Sequence, residues 1–351
     1  MRSLRTLQTT MQQKPFGILN LNKPSSMTSR RAVNVIQRIV KPAKVGHAGT
    51  LDPLATGVLV VCIGRATRLI EQVQSRSKQY RATFLLGRRS NTDDVTGEVT
   101  LVEETPDVIA NDIIALLPQF TGRIEQVPPD FSAVHIEGKR AYKLARRGKT
   151  VELAPRPVEV YDISLVEFNS PNVVIDIHCG SGTYVRSIGR DLGELLGCGA
   201  VMSQLVRTAV GPYSIDNAVD PNDVTTDTLA ESLLSPTTAI AHLPQYRCTP
   251  SQLEDITCGR TFQLPDGTFE VAVPDIGVAG VEAESSERSP QIARSTGGSL
   301  RSTPATPSRV ATVADGDTVV LLTPDGELAA LVRYSTSDRM VVAKQVFRGQ
   351  S

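Results

Sequence analysis

The sequence has no tryptophan, and its seven Tyr and eight Phe amount to only 4% of 351 residues. Each aromatic in a polar setting is therefore worth weighing. No run of about 18 apolar residues occurs, so no membrane-spanning helix is expected. Residues 1–14 carry Arg2 and Arg5 but no apolar stretch, so no secretory leader is expected either. The five cysteines, Cys62, Cys179, Cys198, Cys248 and Cys258, form no CxxC pair, which fits a reduced, cytoplasmic protein. His178 and Cys179 are adjacent, but neighbours on a strand point to opposite faces, so no metal site is expected there. The phosphate loop GxxxxGK[ST], the dinucleotide fingerprint GxGxxG and the zinc motif HExxH are all missing. ATP-driven, NAD-dependent and zinc-hydrolase chemistry thus have no support in the sequence, and no cofactor or metal is expected.

What is present is unevenly distributed. Lys plus Arg and Asp plus Glu number 37 each, for a net charge of zero. Residues 1–150 hold 23 basic and 12 acidic side chains, a balance of +11, and residues 151–351 hold 14 and 25, a balance of −11. The basic half suits a polyanion, although a solvated surface has the same composition.

One loop concentrates unusual chemistry. Gly46-His47-Ala48-Gly49-Thr50-Leu51-Asp52-Pro53-Leu54-Ala55-Thr56-Gly57 has three glycines, one His, one Pro and a single carboxylate, followed at once by the apolar run 58–63. Pro53 biases Asp52 to an extended backbone and fixes the next φ. A stiff loop presenting one acid suits a nucleophile or general base. It equally suits a structural turn with a capping Asp.

Around it, residues 16–21 read as a strand, and Thr28 or Ser29 as the cap of a helix bearing Val33, Ile36 and Val40. Residues 80–87, 158–168 and 173–179 read as strands, 110–117 as a helix and 91–97 as a polar turn. Gly182-Thr183-Tyr184-Val185-Arg186 leads into a helix that stops near Gly197-Cys198-Gly199, and Leu205 begins a last region of the main domain. Lys139, Lys143, Arg146 and Arg147 recur three or four apart, on one side of a helix. Residues 276–310, rich in Ser, Thr, Gly, Pro and Ala without apolar period, read as a disordered insert. It would interrupt a small β-rich domain with a hairpin over 318–334 and a further strand at 341–347.

Five blocks then appear in a recognisable order: GILNLNKPSSMTS at 17–29, GHAGTLDPLATGVLVVCIGRATRL at 46–69, KQYRATFLLGRRSNTDDVTGE at 78–98, PPDFSAVHIEGKRAYKLARRG at 128–148, and GSGTYVRSIGRDLGELLGCGA at 180–200. Together they resemble the TruB-type tRNA pseudouridine synthases, densely over about 16–215 and more loosely into a C-terminal part resembling a PUA RNA-binding domain. The resemblance implies an α+β pseudouridine synthase fold with a mostly antiparallel central sheet flanked by helices. It implies a tail at 1–15, a catalytic domain at 16–245 with an RNA-clamping insertion at about 124–152, and a PUA-like domain at 246–351 split by the insert.

It also implies a cofactor-free isomerisation of the T-loop uridine at tRNA position 55. The T arm of tRNA would be the partner, with no membrane and no obligatory protein partner. Asp52 matches the family's catalytic Asp, Tyr80 its base-stacking Tyr where proton abstraction is needed, and Arg186 the Arg that pairs with the carboxylate. Tyr184 and Leu205 match uracil-pocket positions, and His47 matches an RNA-contacting loop His. Lys23 matches a Lys of the first block that is structural or near the site. Lys139, Arg140, Lys143, Arg146 and Arg147 fall in the clamping insertion. Phe131 stands where the family usually has Tyr, His135 where it has Lys, and Val206 replaces the first Arg of a usual Leu-Arg-Arg. Three rivals remain: a non-catalytic tRNA-binding or folding protein on this fold, a guide-RNA-dependent relative with partner proteins, and a small-molecule enzyme using the Gly-rich loop for phosphate. Product without binding partners separates the first two from a free-standing tRNA enzyme, and the lack of a phosphate-loop Lys counts against the third.

Overall fold

Helix α1, Ser29–Val40, begins where Thr28 in extended backbone accepts the N–H of Arg31 on its hydroxyl, one of the four donors a helix start leaves over. Ala32, Val33, Ile36 and Val40 recur at helical spacing and are buried, while Arg30, Arg31 and Arg38 stay exposed. This is a computed structural model, and it describes residues 15–131, 135–136, 139–140, 153–264, 269–272, 308–311 and 313–347. The chain divides into two units, Met1–Pro236 and Thr237–Ser351.

In the first unit the strands are β1 (Gly17–Lys23), β2 (Val45–His47), β3 (Thr56–Ile63), β4 (Lys78–Leu86), β5 (Arg88–Ser90), β6 (Val99–Leu101), β7 (Gly122–Gln126), β8 (His135–Ile136), β9 (Lys139–Arg140), β10 (Arg156–Asn169), β11 (Asn172–Cys179), β12 (Ala200–Val210) and β13 (Tyr213–Ser214). Among the described residues the α-helices after α1 are α2 (Ile70–Gln74), α3 (Ala110–Leu116), α4 (Val185–Leu195) and α5 (Leu229–Ser232). The main sheet runs β1-β3-β12-β4-β11-β10-β7, with β2 beside β3 and β13 beside β12. Every pairing is antiparallel except β12 with β3. Antiparallel strands can leave one face open. In β4, Ala82, Phe84 and Leu86 are buried while Gln79 and Arg81 are exposed. Strand β3, which reads as a continuous apolar run, is buried at every position after Thr56.

Helix α4 lies close over this sheet because it carries glycine where it meets β4. A Cβ at Gly189 would lie 2.1 Å from Cε1 of the fully buried Phe84. Gly189→Ala is expected to cost about 1–3 kcal/mol by overpacking, lowering the melting temperature by several degrees. A thermal melt like that of the parent would show that α4 does not press on Phe84.

Three sequence expectations change. Leu205 does not begin a region: it sits inside β12, which starts at Ala200 and pairs with β4 out to Val210 with two register shifts, at Met202/Gln204 and Arg207/Ala209. Lys139 and Arg140 are not helical. They form β9 against β8, a backbone register that period-3.6 spacing of side chains cannot reveal. Lys143, Arg146 and Arg147 lie outside the described residues, as does the 1–15 tail apart from Pro15. Third, most of the 276–310 insert also lies outside them, but Ser308–Ala311 is a strand.

The second unit is a seven-stranded sheet with one longer helix, α6 (Pro250–Thr257), capped by Thr249. Its strands are β14 (Gln245–Arg247), β15 (Phe262–Gln263), β16 (Phe269–Ala272), β17 (Ser308–Ala311), β18 (Thr318–Leu322), β19 (Leu328–Tyr334) and β20 (Met340–Val346), in the order β15-β20-β19-β18-β14-β16-β17. The expected hairpin is β18–β19. The unit starts nearer 237 than 246, because the chain approaching β14 is already tied to this sheet: the Val320 N–H donates to the Pro244 carbonyl.

Candidate active site

The Asp52 loop joins β2 to β3 and is fixed by its backbone. Ser29, at the start of α1, accepts the Leu51 N–H on its hydroxyl at 2.9 Å and bonds the Leu51 carbonyl at 3.0 Å. The Ser26 N–H donates to the Pro53 carbonyl, and the Ala48 N–H to that of Val60. Ala48, Leu51 and Ala55 are buried, so the loop is packed from below while the Asp52 side chain stays 40% exposed. Gly57 closes the loop at φ +95°, and a Cβ there would stand 2.3 Å from the Arg207 carbonyl oxygen. Only glycine lets β3 come this close to β12.

Arg186 comes from the first turn of α4. Buried Gln126, the last residue of β7, holds that turn in place. Its amide accepts the Tyr184 N–H at 2.7 Å and donates to the Tyr184 carbonyl at 3.0 Å. The Ser187 hydroxyl adds a bond to the Val127 carbonyl. The Arg186 guanidinium, 8% exposed, then spans two carboxylates. Nη2 is 3.1 Å from Asp52 Oδ2, and Nη1 is 3.4 Å from Asp94 Oδ2. It also donates to the Thr92 carbonyl (2.9 Å) and the Phe131 carbonyl (3.2 Å). Asp94 is itself buried and accepts from the Thr92 hydroxyl and the Thr96 N–H. A planar five-donor cation suits such a multiply shared position better than an ammonium.

Asp52, Tyr80, Tyr184, Arg186 and Leu205 line a single cavity of about 650 Å³, together with Phe131, Lys78 and Arg207 and the Gly180–Thr183 loop. Lys23 and His47, expected at or near the site, lie outside its wall. Lys23 ends β1 fully buried, with Nζ donating to the Met27 carbonyl at 2.7 Å and the Pro24 carbonyl at 3.0 Å. His47 is half-buried in β2, opposite Val61. Burial and then the charge of Arg207 hold its imidazole below the usual 6.5, so it is neutral at pH 7. The sequence reading did not single out Asp94, Gln126, Lys78 or Arg207. Asp94 lies within a polar turn, and Arg207 follows Leu205 at the strand period of two, a signal of its inward face.

Two lysines beside the cavity are shifted. Burial takes Lys78 from 10.5 to about 8, and burial likewise takes Lys23 to about 8, opposed by the nearby Asp52. Lys78 Nζ donates to the carbonyls of Gln74 and Arg76. Both lysines hold fewer protons folded than unfolded between about pH 8 and 10.5, so stability rises with pH across that window. Lys78→Met is expected to flatten this rise. Urea midpoints on either side of the window check it, and an unchanged slope would remove Lys78 as a contributor.

Comparison with known proteins places this geometry. Residues 37–185 match the model of the TruB family pseudouridylate synthase N-terminal domain, and 186–240 that of the tRNA pseudouridylate synthase B C-terminal domain. The tRNA pseudouridine synthase B of Synechococcus sp. (strain CC9311) is 39% identical over 77% of this chain and 95% of its own length. That of Microcystis aeruginosa (strain NIES-843 / IAM M-2473) is 40% identical over 77% and 92%. A solved Cbf5-Nop10-Gar1 complex contains a chain with TM-score 0.65 and 26% identity, covering 95% of this chain and 85% of that one. An H/ACA RNP bound to a substrate RNA containing 2'-deoxyuridine gives 0.64 at 24%, covering 95% and 85%, a likeness of fold. The α+β architecture is thus the pseudouridine synthase fold. With family models spanning more than half of its length and relatives near 40% identity over most of theirs, the chain belongs to the TruB family of pseudouridylate synthases.

Proposed function

We infer that this protein is a tRNA pseudouridine synthase and that its target is the T-loop uridine at position 55. The observation that carries the reading is the Asp52 carboxylate, held 3.1 Å from a buried arginine at the wall of a cavity shared with Tyr80 and Leu205. The product is an isomer of the substrate. The bond from ribose C1' to N1 breaks, the base turns, C5 bonds to C1', the C5 proton leaves and N1 gains one. No electrons or groups enter, so side chains alone can carry the reaction.

Asp52 is the nucleophile that parts base from ribose, and the Arg186 guanidinium 3.1 Å away holds it aimed. Tyr80 stacks on the base and takes the C5 proton. Tyr184 and Leu205 enclose the uracil, and Phe131 closes the same wall. The target must leave its stack at a cost of a few kcal/mol. Phosphate contacts from Lys139, Arg140, Lys143, Arg146 and Arg147 offset this. His47 and Lys23 act from beside the cavity, Lys23 by supporting the loop 24–27 through its bonds to Pro24 and Met27. No helix among the described residues is long and apolar enough to cross a membrane. We place the enzyme in the cytoplasm, acting on free tRNA through its T arm without guide RNA or protein partner, and assign the second unit as a PUA-like RNA-binding domain.

The test is tritium release from an unmodified tRNA transcript labelled at uridine C5, using the purified chain alone. Release of one equivalent, lost when uridine 55 is replaced by cytidine, supports the reading. Binding without release would favour the tRNA-binding protein. Release only on adding guide RNA and partners would favour the guided relative.

A further inference from the structure

Beneath the cavity lies a buried cation to which nothing above assigns a part in the reaction. Arg207 in β12 is 2% exposed. Nε donates to the Val58 carbonyl at 2.7 Å, and Nη2 to the Gly49 carbonyl at 3.2 Å. It therefore grips both sides of the Asp52 loop. Among the described residues no carboxylate forms an ion pair with it. Lys78, Lys23 and His47 all feel its charge, and the Asp52 carboxylate in the same cavity is paired with Arg186 instead. A buried charge without a counter-charge is expensive, and two carbonyls could be tethered by a neutral amide at lower cost.

The remaining partner explains the charge. Arg207 stands directly across the ladder from Tyr80 in β4, both line the cavity, and the charge of Arg207 reaches the Tyr80 phenol. We propose that Arg207 is the positioning residue for Tyr80, orienting its hydroxyl and stabilising the phenolate that accepts the C5 proton. The inference rests on the reading of Tyr80 as proton acceptor. In that step the C5–H bond breaks and its electron pair re-forms the C5–C6 double bond, the C6–N1 double bond opens onto N1, which takes a proton from water, and the C5 proton ends on the Tyr80 oxygen, from which water removes it. Burial alone pushes the Tyr80 phenol up, away from the phenolate, and the charge of Arg207 acts against that. Cys179 and Asp52 also face the phenol, and both oppose the phenolate, which leaves Arg207 as the cation serving it.

The test uses the full chain and tRNA carrying C5-deuterated uridine, in single turnover with enzyme in excess. Arg207→Gln is expected to slow product formation roughly 10–100-fold, within what a positioned base contributes, and to raise the C5 deuterium isotope effect above that of the parent. Arg207→Lys, which keeps a charge beside Tyr80, should recover part of the rate and lower the isotope effect again. In a Tyr80→Phe background, Arg207→Gln should cost little more, about twofold or less, because the two act as one unit. A slower Arg207→Gln enzyme with the parent isotope effect, and an equal loss in both backgrounds, would reduce Arg207 to a loop tether and overturn the proposal. If Arg207→Gln melts too low to assay, Arg207→Lys carries the same two readouts. A Tyr80→Phe enzyme with the parent rate would overturn it by removing the acceptor, while tritium release by the parent would leave the synthase reading standing.

Discussion

Asp52→Asn is expected to abolish tritium release, by about 10⁴-fold or more in the single-turnover rate, while leaving tRNA binding and the fold nearly intact. The size follows from chemistry. An amide of the same shape has neither the charge nor the nucleophilicity of a carboxylate, and losing a nucleophile removes the whole covalent or proton-abstracting route. The fold should survive because the loop is held by backbone bonds that do not involve the carboxylate: Leu51 to Ser29, Pro53 to Ser26, Ala48 to Val60. The lost ion pair is partly solvent-exposed on the Asp52 side, so its contribution to stability is within about 1 kcal/mol. Arg186 keeps Asp94 and two carbonyls as partners. Rate, filter binding and melting temperature measured on one preparation decide it. A variant turning over within tenfold of the parent would sink the assignment of Asp52, whatever else the site contains.

Much of this is legible in the sequence because the chemistry sits in short blocks with strong local signals. The Gly/Pro pattern around Asp52 states a stiff loop, Thr28 states a helix start, and the apolar run at 58–63 states a buried strand. What stayed hidden depends on contacts distant in sequence. Asp94 looks like any Asp in a polar turn until Arg186, 92 positions later, reaches it. Gln126 looks like an ordinary strand-end amide until it closes two bonds on Tyr184. Arg207 reads as a charge near a core residue, and only the register of β12 against β4 and β3 puts it under Tyr80 and Gly57. The error at Lys139 and Arg140 has a different cause. Basic residues three or four apart fit a helix face, but the local backbone pairs into β8–β9, and side-chain spacing alone does not exclude that.

The second large effect should come from Arg186, and it should appear in stability as well as rate. Arg186 is nearly buried, and so is one of its two carboxylate partners, Asp94. Removing one member of a buried pair leaves the other charge uncompensated at a cost of about 3–5 kcal/mol. Arg186→Gln is therefore expected to lower the melting temperature by roughly 6–20 °C for a unit of this size. Its rate should fall about 10²–10³-fold, as when one preorganised charge partner is removed from a reacting group. Asp94→Asn tests the same network from the far side. It should restore part of the stability when combined with Arg186→Gln, since the stranded carboxylate is then gone, yet restore no activity, since Asp52 still lacks its cation. Arg186→Lys should fall between, because one ammonium cannot reach Asp52, Asp94, Thr92 and Phe131 together. Calorimetry and tritium release on the four variants separate the two functions of this residue. If the double variant is no more stable than Arg186→Gln alone, Asp94 is not the charge that Arg186 neutralises, and the two carboxylates do not share one cation.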